Sequence, residues 1–212
     1  LARELGLYSA KFTSNDLVSY LRAQMANFLL GALSGPTLVG LFNKADSLSK
    51  LPNIISGAVY EPIFRGLSLT ASEDKKSQYI YLRTISLLAV YMLPFYFGMM
   101  WLAEPFVAIV YGEKWVPSAE PLKIICAGGV FACIGHPAGA VLAARDALGR
   151  EIIVQIATTA LVAIACLVGI QWGLKGVALG LLGAWAYSTL HLTILCLRCI
   201  GGSFVQILHS LV

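Results

Sequence analysis

Four stretches of the chain, residues 84–103, 124–144, 152–174 and 176–197, contain no Asp, Glu, Lys or Arg at all. A helix rises about 1.5 Å per residue, so about 20 apolar residues cross the roughly 30 Å hydrocarbon layer of a bilayer. Each stretch reaches that length. A soluble fold would have to hide all four in one core with few charges to cover it, for only 12% of the 212 residues are charged and 58% are hydrophobic. An ordinary soluble domain carries about 25% charged residues. A disordered chain needs low hydrophobicity, and a disulfide scaffold needs dense cysteine in a short chain, so both are excluded with the soluble globule. A multi-spanning membrane protein is left.

Residues 12–69 are apolar but interrupted by polar groups, and two more spans account for them, about 13–33 and 37–64, joined by the tight turn Ser34-Gly35-Pro36. The expectation is an all-α integral membrane unit of six transmembrane helices, one domain over 1–212. With Leu1 as the first residue and no charged-then-apolar leader, the chain is expected to be the interior of a longer protein rather than one with a signal peptide. Lys and Arg in short loops mark the cytoplasmic side. Arg3, Lys11, Arg65, Lys75, Lys76, Arg83, Arg145, Arg150 and Arg198 fall on one side, against Lys114, Lys123 and Lys175 on the other. Both ends of the segment are therefore expected in the cytoplasm. Basic residues placed between spans, and not along one face, argue against a nucleic-acid partner.

Polar residues inside the first two spans are the candidate site. Asn15, Asp16, Ser19, Arg22, Gln24 and Asn27 lie in the first, and Asn43, Lys44, Asp46, Ser47 and Lys50 in the second. Asn15, Ser19 and Arg22 share a face by their i, i+4, i+7 spacing, as do Asn43, Asp46, Ser47 and Lys50. A basic residue at mid-membrane costs roughly 2.5–3.5 kcal/mol on insertion scales, so it usually faces a bundle interior or a wet cavity. The leading expectation is a cavity in which Arg22, Lys44 and Lys50 bind an anionic substrate. The bland alternative pairs Asp46 with Lys50 and lets Arg22 and Lys44 snorkel toward headgroups. The four charge-free helices are expected only to support this polar pair.

Other groups carry less. Cys196-Leu-Arg-Cys199 has CxxC spacing but lacks the further ligands zinc requires, so the five cysteines read as small apolar residues. His136 and His191 suit proton relay only if they titrate near neutrality, and a neutral His bonded to a helix carbonyl is commoner. Glu61 is expected in the interface beside Arg65. Pro52, Pro94 and Pro137 inside spans are compatible with hinges, and the recurrent glycines with close helix packing. No GxSxG, HExxH or phosphate-binding glycine loop occurs, and no cofactor or metal site is expected.

The runs Tyr20-Leu-Arg-Ala-Gln-Met-Ala-Asn-Phe-Leu-Leu-Gly31, Gly40-Leu-Phe-Asn-Lys-Ala45 and Leu51-Pro52 resemble the start of the second lobe of bacterial polysaccharide exporters. Ala103-Glu-Pro-Phe-Val107, Tyr111-Gly-Glu-Lys-Trp115, Ala144-Arg-Asp-Ala-Leu-Gly149 and Gly173-Leu-Lys-Gly-Val-Ala-Leu-Gly180 resemble later segments of the same lobe. Those are oligosaccharide flippases of the superfamily that also holds the MATE multidrug exporters. Ala26 departs from the pattern, in which many relatives carry an Asp after the Gln, so any role of that carboxylate is absent. The resemblance implies one six-helix lobe of a two-lobed alternating-access transporter in the bacterial inner membrane. Its implied substrate is an undecaprenyl-diphosphate-linked oligosaccharide bound for O-antigen, exopolysaccharide or capsule. Its implied partners are the bilayer and the first lobe or a second copy, and Val212 reads as a fragment boundary. A cation-coupled drug exporter of the same fold, with Asp46 binding the cation, is the alternative. A membrane enzyme of polysaccharide assembly ranks below both, since the outer loop 104–123 has no His or Asp.

Overall fold

A computed structural model describes the backbone of residues 2–70 and 72–210, with the side chains of 13, 14, 17–70 and 72–207. The side chains of Arg3, Lys11, Asn15 and Asp16 lie outside the described residues. Among the described residues the chain forms nine α-helices joined by short turns.

The first helix, α1 (Ala2–Ser34), is separated from α2 (Pro36–Ser49) by Gly35 alone. Gly35 has φ 84, a conformation that costs glycine little, and Pro36 opens α2 where no backbone N–H is needed. The helix expected over 37–64 is two helices, α2 and α3 (Asn53–Leu69). Pro52 has no N–H to give. The ladder tightens there to i→i+3 bonds, from Leu51 N–H to Leu48 O and from Asn53 N–H to Lys50 O.

The third expected span, 84–103, lies within α4 (Asp74–Tyr111), whose 38 residues measure about 57 Å, more than a bilayer core. Its charged first turns contain no helix breaker, so they are helical although their charges suggested a loop. Gly112, with φ 88, ends it. The span expected over 124–144 begins earlier and bends: the helical stretch Glu113–Ala127, a 3-10 turn followed by α5 (Ala119–Ala127), meets α6 (Gly129–Ala144) at 49° around Gly128. The last two spans correspond to α7 (Leu148–Gly169) and α8 (Gly173–Ile200), an antiparallel hairpin reversing at Gly173, φ 67. Small residues permit its close approach, since a Cβ on Gly180 would lie 2.7 Å from that of Ala165. A short α9 (Phe204–Ser210) follows.

By length and composition, Asp74–Tyr111 and Leu148–Ile200 are apolar enough to cross a membrane, and the bent pair α5–α6 passes as a third stretch. The structure thus holds helices of membrane length, some of them broken, in place of six unbroken rods. The charged loops segregate to opposite ends of α4. Near its start Arg145 Nη2 donates to Asp74 Oδ1 at 2.8 Å, and Gln78 Nε2 donates to the Ile200 carbonyl. Near its far end Lys123 pairs with Glu104 at 3.5 Å, while Lys175 pairs with Glu120 at 2.9 Å. Glu61 pairs with Arg65 at 2.6 Å, both exposed.

A charge-balanced cavity at two helix breaks

A cavity of about 570 Å³ opens between the helices. Along α7 its wall runs from Glu151 to Val162, which places it from about 5 to about 20 Å above the start of that helix. Seven helices reach it through side chains, and α5 adds Ile125.

From α1 come Ser19 and Arg22, one turn apart on one face. The last turn of α2 brings Asp46, Ser49 and Lys50, and the start of α3 brings Asn53. The α2–α3 break therefore lies in the cavity wall. The α5–α6 break does too, through Gly128 and Gly129. Irregular backbone at membrane depth is tolerated where it lines a cavity, and discontinuous helices of this kind form binding sites in transporters. Tyr96 of α4 joins the two breaks: its ring packs on Gly129 and its hydroxyl donates to Asn53 Oδ1 at 3.5 Å.

Asp46 and Lys50 are the pair that i, i+4 spacing anticipates, with Nζ to Oδ2 at 2.5 Å. Lys50 remains half exposed. Lys44 does not join them. Its ammonium lies 4.1 Å from the Tyr111 ring centroid and 5.0 Å from that of Trp115, a cation–π seat away from the cavity. A group of three cations, Arg22, Lys44 and Lys50, is thus not what the fold assembles, because Lys44 is turned to another side of α2. Asn43 and Ser47 are also absent from the wall, and Ser49 takes their place. Asn27 bonds instead to Gln24, 3.2 Å away.

The apolar helices contribute what the sequence reading withheld from them. Glu151 and Gln155 of α7 line the cavity and are 6% and 5% exposed. His136 of α6 and Ser188 and Thr189 of α8 stand in the same wall. Arg22 interacts electrostatically with both Glu151 and His136. The second histidine, His191, has the commoner arrangement, its Nδ1 3.0 Å from the Tyr187 carbonyl. Among the described residues, the charged groups facing the cavity are Arg22, Lys50, Asp46 and Glu151, and their formal charges cancel. No group of three His, Cys, Asp or Glu suited to a metal occurs among the described residues, whose five cysteines are free thiols.

Such a site holds fixed charges of both signs next to apolar and aromatic walls such as Trp185 and Phe42. It can offer cationic groups at Arg22 and Lys50 and carboxylates at Asp46 and Glu151 to the polar part of a ligand, and apolar walls to the rest.

Residues 1–120 match a family described as polysaccharide biosynthesis protein. Over 207 residues the chain is 24% identical to the lipopolysaccharide biosynthesis protein WzxC of Escherichia coli (strain K12), covering 96% of this chain and 42% of that protein. It is 27% identical over 136 residues to the teichuronic acid biosynthesis protein TuaB of Bacillus subtilis (strain 168), covering 62% of this chain and 28% of the relative. An uncharacterized membrane protein in the cps region of Klebsiella pneumoniae is 22% identical over 140 residues, 66% of this chain and 29% of that one. The chain therefore spans less than half the length of these relatives. No solved structure matches it.

Proposed function

The chain belongs to the polysaccharide biosynthesis protein family, and from that premise we propose that it is one lobe of a membrane transporter that flips an undecaprenyl-diphosphate-linked oligosaccharide between leaflets by alternating access. The observation that carries this reading is the cavity walled by Arg22 and Lys50 and by the ends of two broken helices. A diphosphate must shed water to cross a bilayer, and charge-assisted hydrogen bonds from Arg and Lys offset that desolvation. In this reading the ends of α6 and α8, with both termini of the segment, lie on the cytoplasmic side, which the segregation of basic loops supports. The cavity then lies nearer that side, where the lipid-linked precursor is loaded. A second lobe completes the pathway, consistent with the share of its relatives that the chain spans.

Arg22 and Lys50 are the headgroup ligands in this reading, and Lys44 holds α2 against Tyr111 and Trp115. Asp46 is the site for a coupling ion: a proton or cation there releases Lys50 to the substrate. The chemistry is binding and movement, with no bond made or broken. Arg22→Ala or Lys50→Ala in the full-length protein is expected to lower surface polysaccharide without lowering membrane abundance. Normal export by both variants would overturn the assignment.

A further inference from the structure

The cavity wall divides by charge. Arg22, Asp46 and Lys50 enter it from α1 and α2 and Glu151 from the first turn of α7, whereas the part that α8 contributes is neutral, with Trp185, Ser188 and Thr189 on one stripe by i, i+3, i+4 spacing. Gln155 of α7 stands in the same wall. It is 5% exposed, and its Oε1 is buried with no hydrogen-bond partner among the described residues. A buried acceptor left without a donor is costly, so it marks a place that a ligand can complete.

The α7–α8 hairpin sets these groups side by side. Its close contacts, Gly169 with Gly176 and Ala165 with Gly180, define an antiparallel register that carries Gln155 level with Leu190. At about 1.5 Å per residue, Ser188 and Thr189 lie within about 3 Å of that depth, and Trp185 about 7 Å further along α8. The indole packs on the α5–α6 break, since a Cβ on Gly128 would lie 2.9 Å from its Cε3. Beside them, Gly135 and Gly139 of α6 put no side chain into the space.

Of the parts of a lipid-linked oligosaccharide, the sugar-linked diphosphate is fully ionised and offers acceptors alone, while the isoprenoid tail offers neither donor nor acceptor. Neither can satisfy Gln155 Oε1. A pyranose can: its hydroxyls both donate and accept, as a Gln amide and a Ser hydroxyl do, and its C–H face is apolar enough to lie on an indole. The last torsion of Gln is broad, so a turn of the amide offers either its oxygen or its NH2 to the space.

We propose that Gln155, Ser188 and Trp185 form a neutral sugar subsite, which takes the saccharide nearest the diphosphate while Arg22 and Lys50 hold the phosphates. The inference rests on the reading above, that the cavity binds a lipid-linked saccharide. Its consequence is discrimination: a carrier that has no sugar attached leaves Gln155 unpaired and is held less tightly than a loaded one.

The test measures binding of three lipids to the purified full-length protein in detergent: undecaprenyl diphosphate bare, carrying one glucose, and carrying one N-acetylglucosamine. The sugar is expected to tighten binding about tenfold for at least one of the two glycolipids, the worth of one or two net hydrogen bonds. Gln155→Leu and Ser188→Ala are each expected to remove most of that gain and to keep affinity for the bare carrier within about twofold. Should Gln155→Leu not fold, Ser188→Ala carries the test. No gain from either sugar in the unaltered protein, or a gain that both variants keep, overturns the subsite. So does an equal loss for bare and sugar-bearing lipids, which marks residues that only shape the cavity. If the unaltered protein binds none of the three lipids, the proposed function and this inference fall together. If it binds the bare carrier and Arg22→Ala weakens that binding, while neither sugar adds affinity, the subsite alone is overturned.

Discussion

Gly129→Ala is the substitution whose cost the structure fixes most closely. A Cβ at Gly129 would overlap Cγ, Cδ2 and Cε2 of Tyr96. Carbon atoms settle at about 3.5–4.0 Å, so the ring would have to retreat by more than about 1 Å. It has little room to do so, being 4% exposed and tied through its hydroxyl to Asn53. Overpacking a fitted core costs about 1–3 kcal/mol, and the upper end is expected here, because both contact partners sit at helix breaks that the ring itself joins. Unfolding of the full-length protein in mixed micelles measures the loss. The decisive comparison is a double-mutant cycle with Tyr96→Ala. That substitution vacates the space, so Gly129→Ala should then cost less than about 0.5 kcal/mol, leaving a coupling of about 2 kcal/mol. An equal cost in both backgrounds, or no cost in either, would refute the packing of the α5–α6 junction on Tyr96. Transport should fall with stability in Gly129→Ala, since the same contact shapes the cavity wall.

Lys44→Ala should lower stability by about 1 kcal/mol through the lost cation–π contacts, and leave affinity for undecaprenyl diphosphate within about twofold in a binding titration. Arg145→Ala breaks bonds to Asp74 Oδ1 and, at 3.3 Å, to Ser77 Oγ, but leaves Asp74 in a solvated position. Its expected cost is therefore only about 1 kcal/mol by the same unfolding measurement. Cys199, half-buried, should react with a maleimide before Cys126, Cys133, Cys166 and Cys196, which are buried. Mass spectrometry of partly labelled folded protein checks the order, and early labelling of Cys133 would contradict the placement of α6.

Charge-free runs of membrane length made the helical class legible, and the positions of Lys and Arg made the two ends legible, because both follow from the cost of charge in lipid. The same reasoning hid Glu151. The charge of Glu151 makes the expected span begin at 152, whereas α7 starts at Leu148, and from that start Glu151, Gln155 and Thr158 fall on one face by i, i+4, i+7 spacing. The separation of Lys44 from Lys50 follows from helix geometry. At 100° per residue Lys44 lies about 120° from Lys50 around a helix, too far to share its face. The breaks at Pro52 and Gly128 were not readable as breaks. Pro62, Pro94, Pro105 and Pro137 stay inside helices, and what distinguishes Pro52 is a cavity assembled from distant elements.

The central claim is that this cavity carries an anionic lipid-linked oligosaccharide across the membrane. It is tested most directly by the leaflet distribution of lipid-linked repeat units in cells whose only copy of the full-length protein carries Arg22→Ala with Lys50→Ala. The account predicts repeat units accumulating on the cytoplasmic leaflet, with the protein present at its usual abundance. Repeat units reaching the outer leaflet at the usual rate in those cells would contradict it.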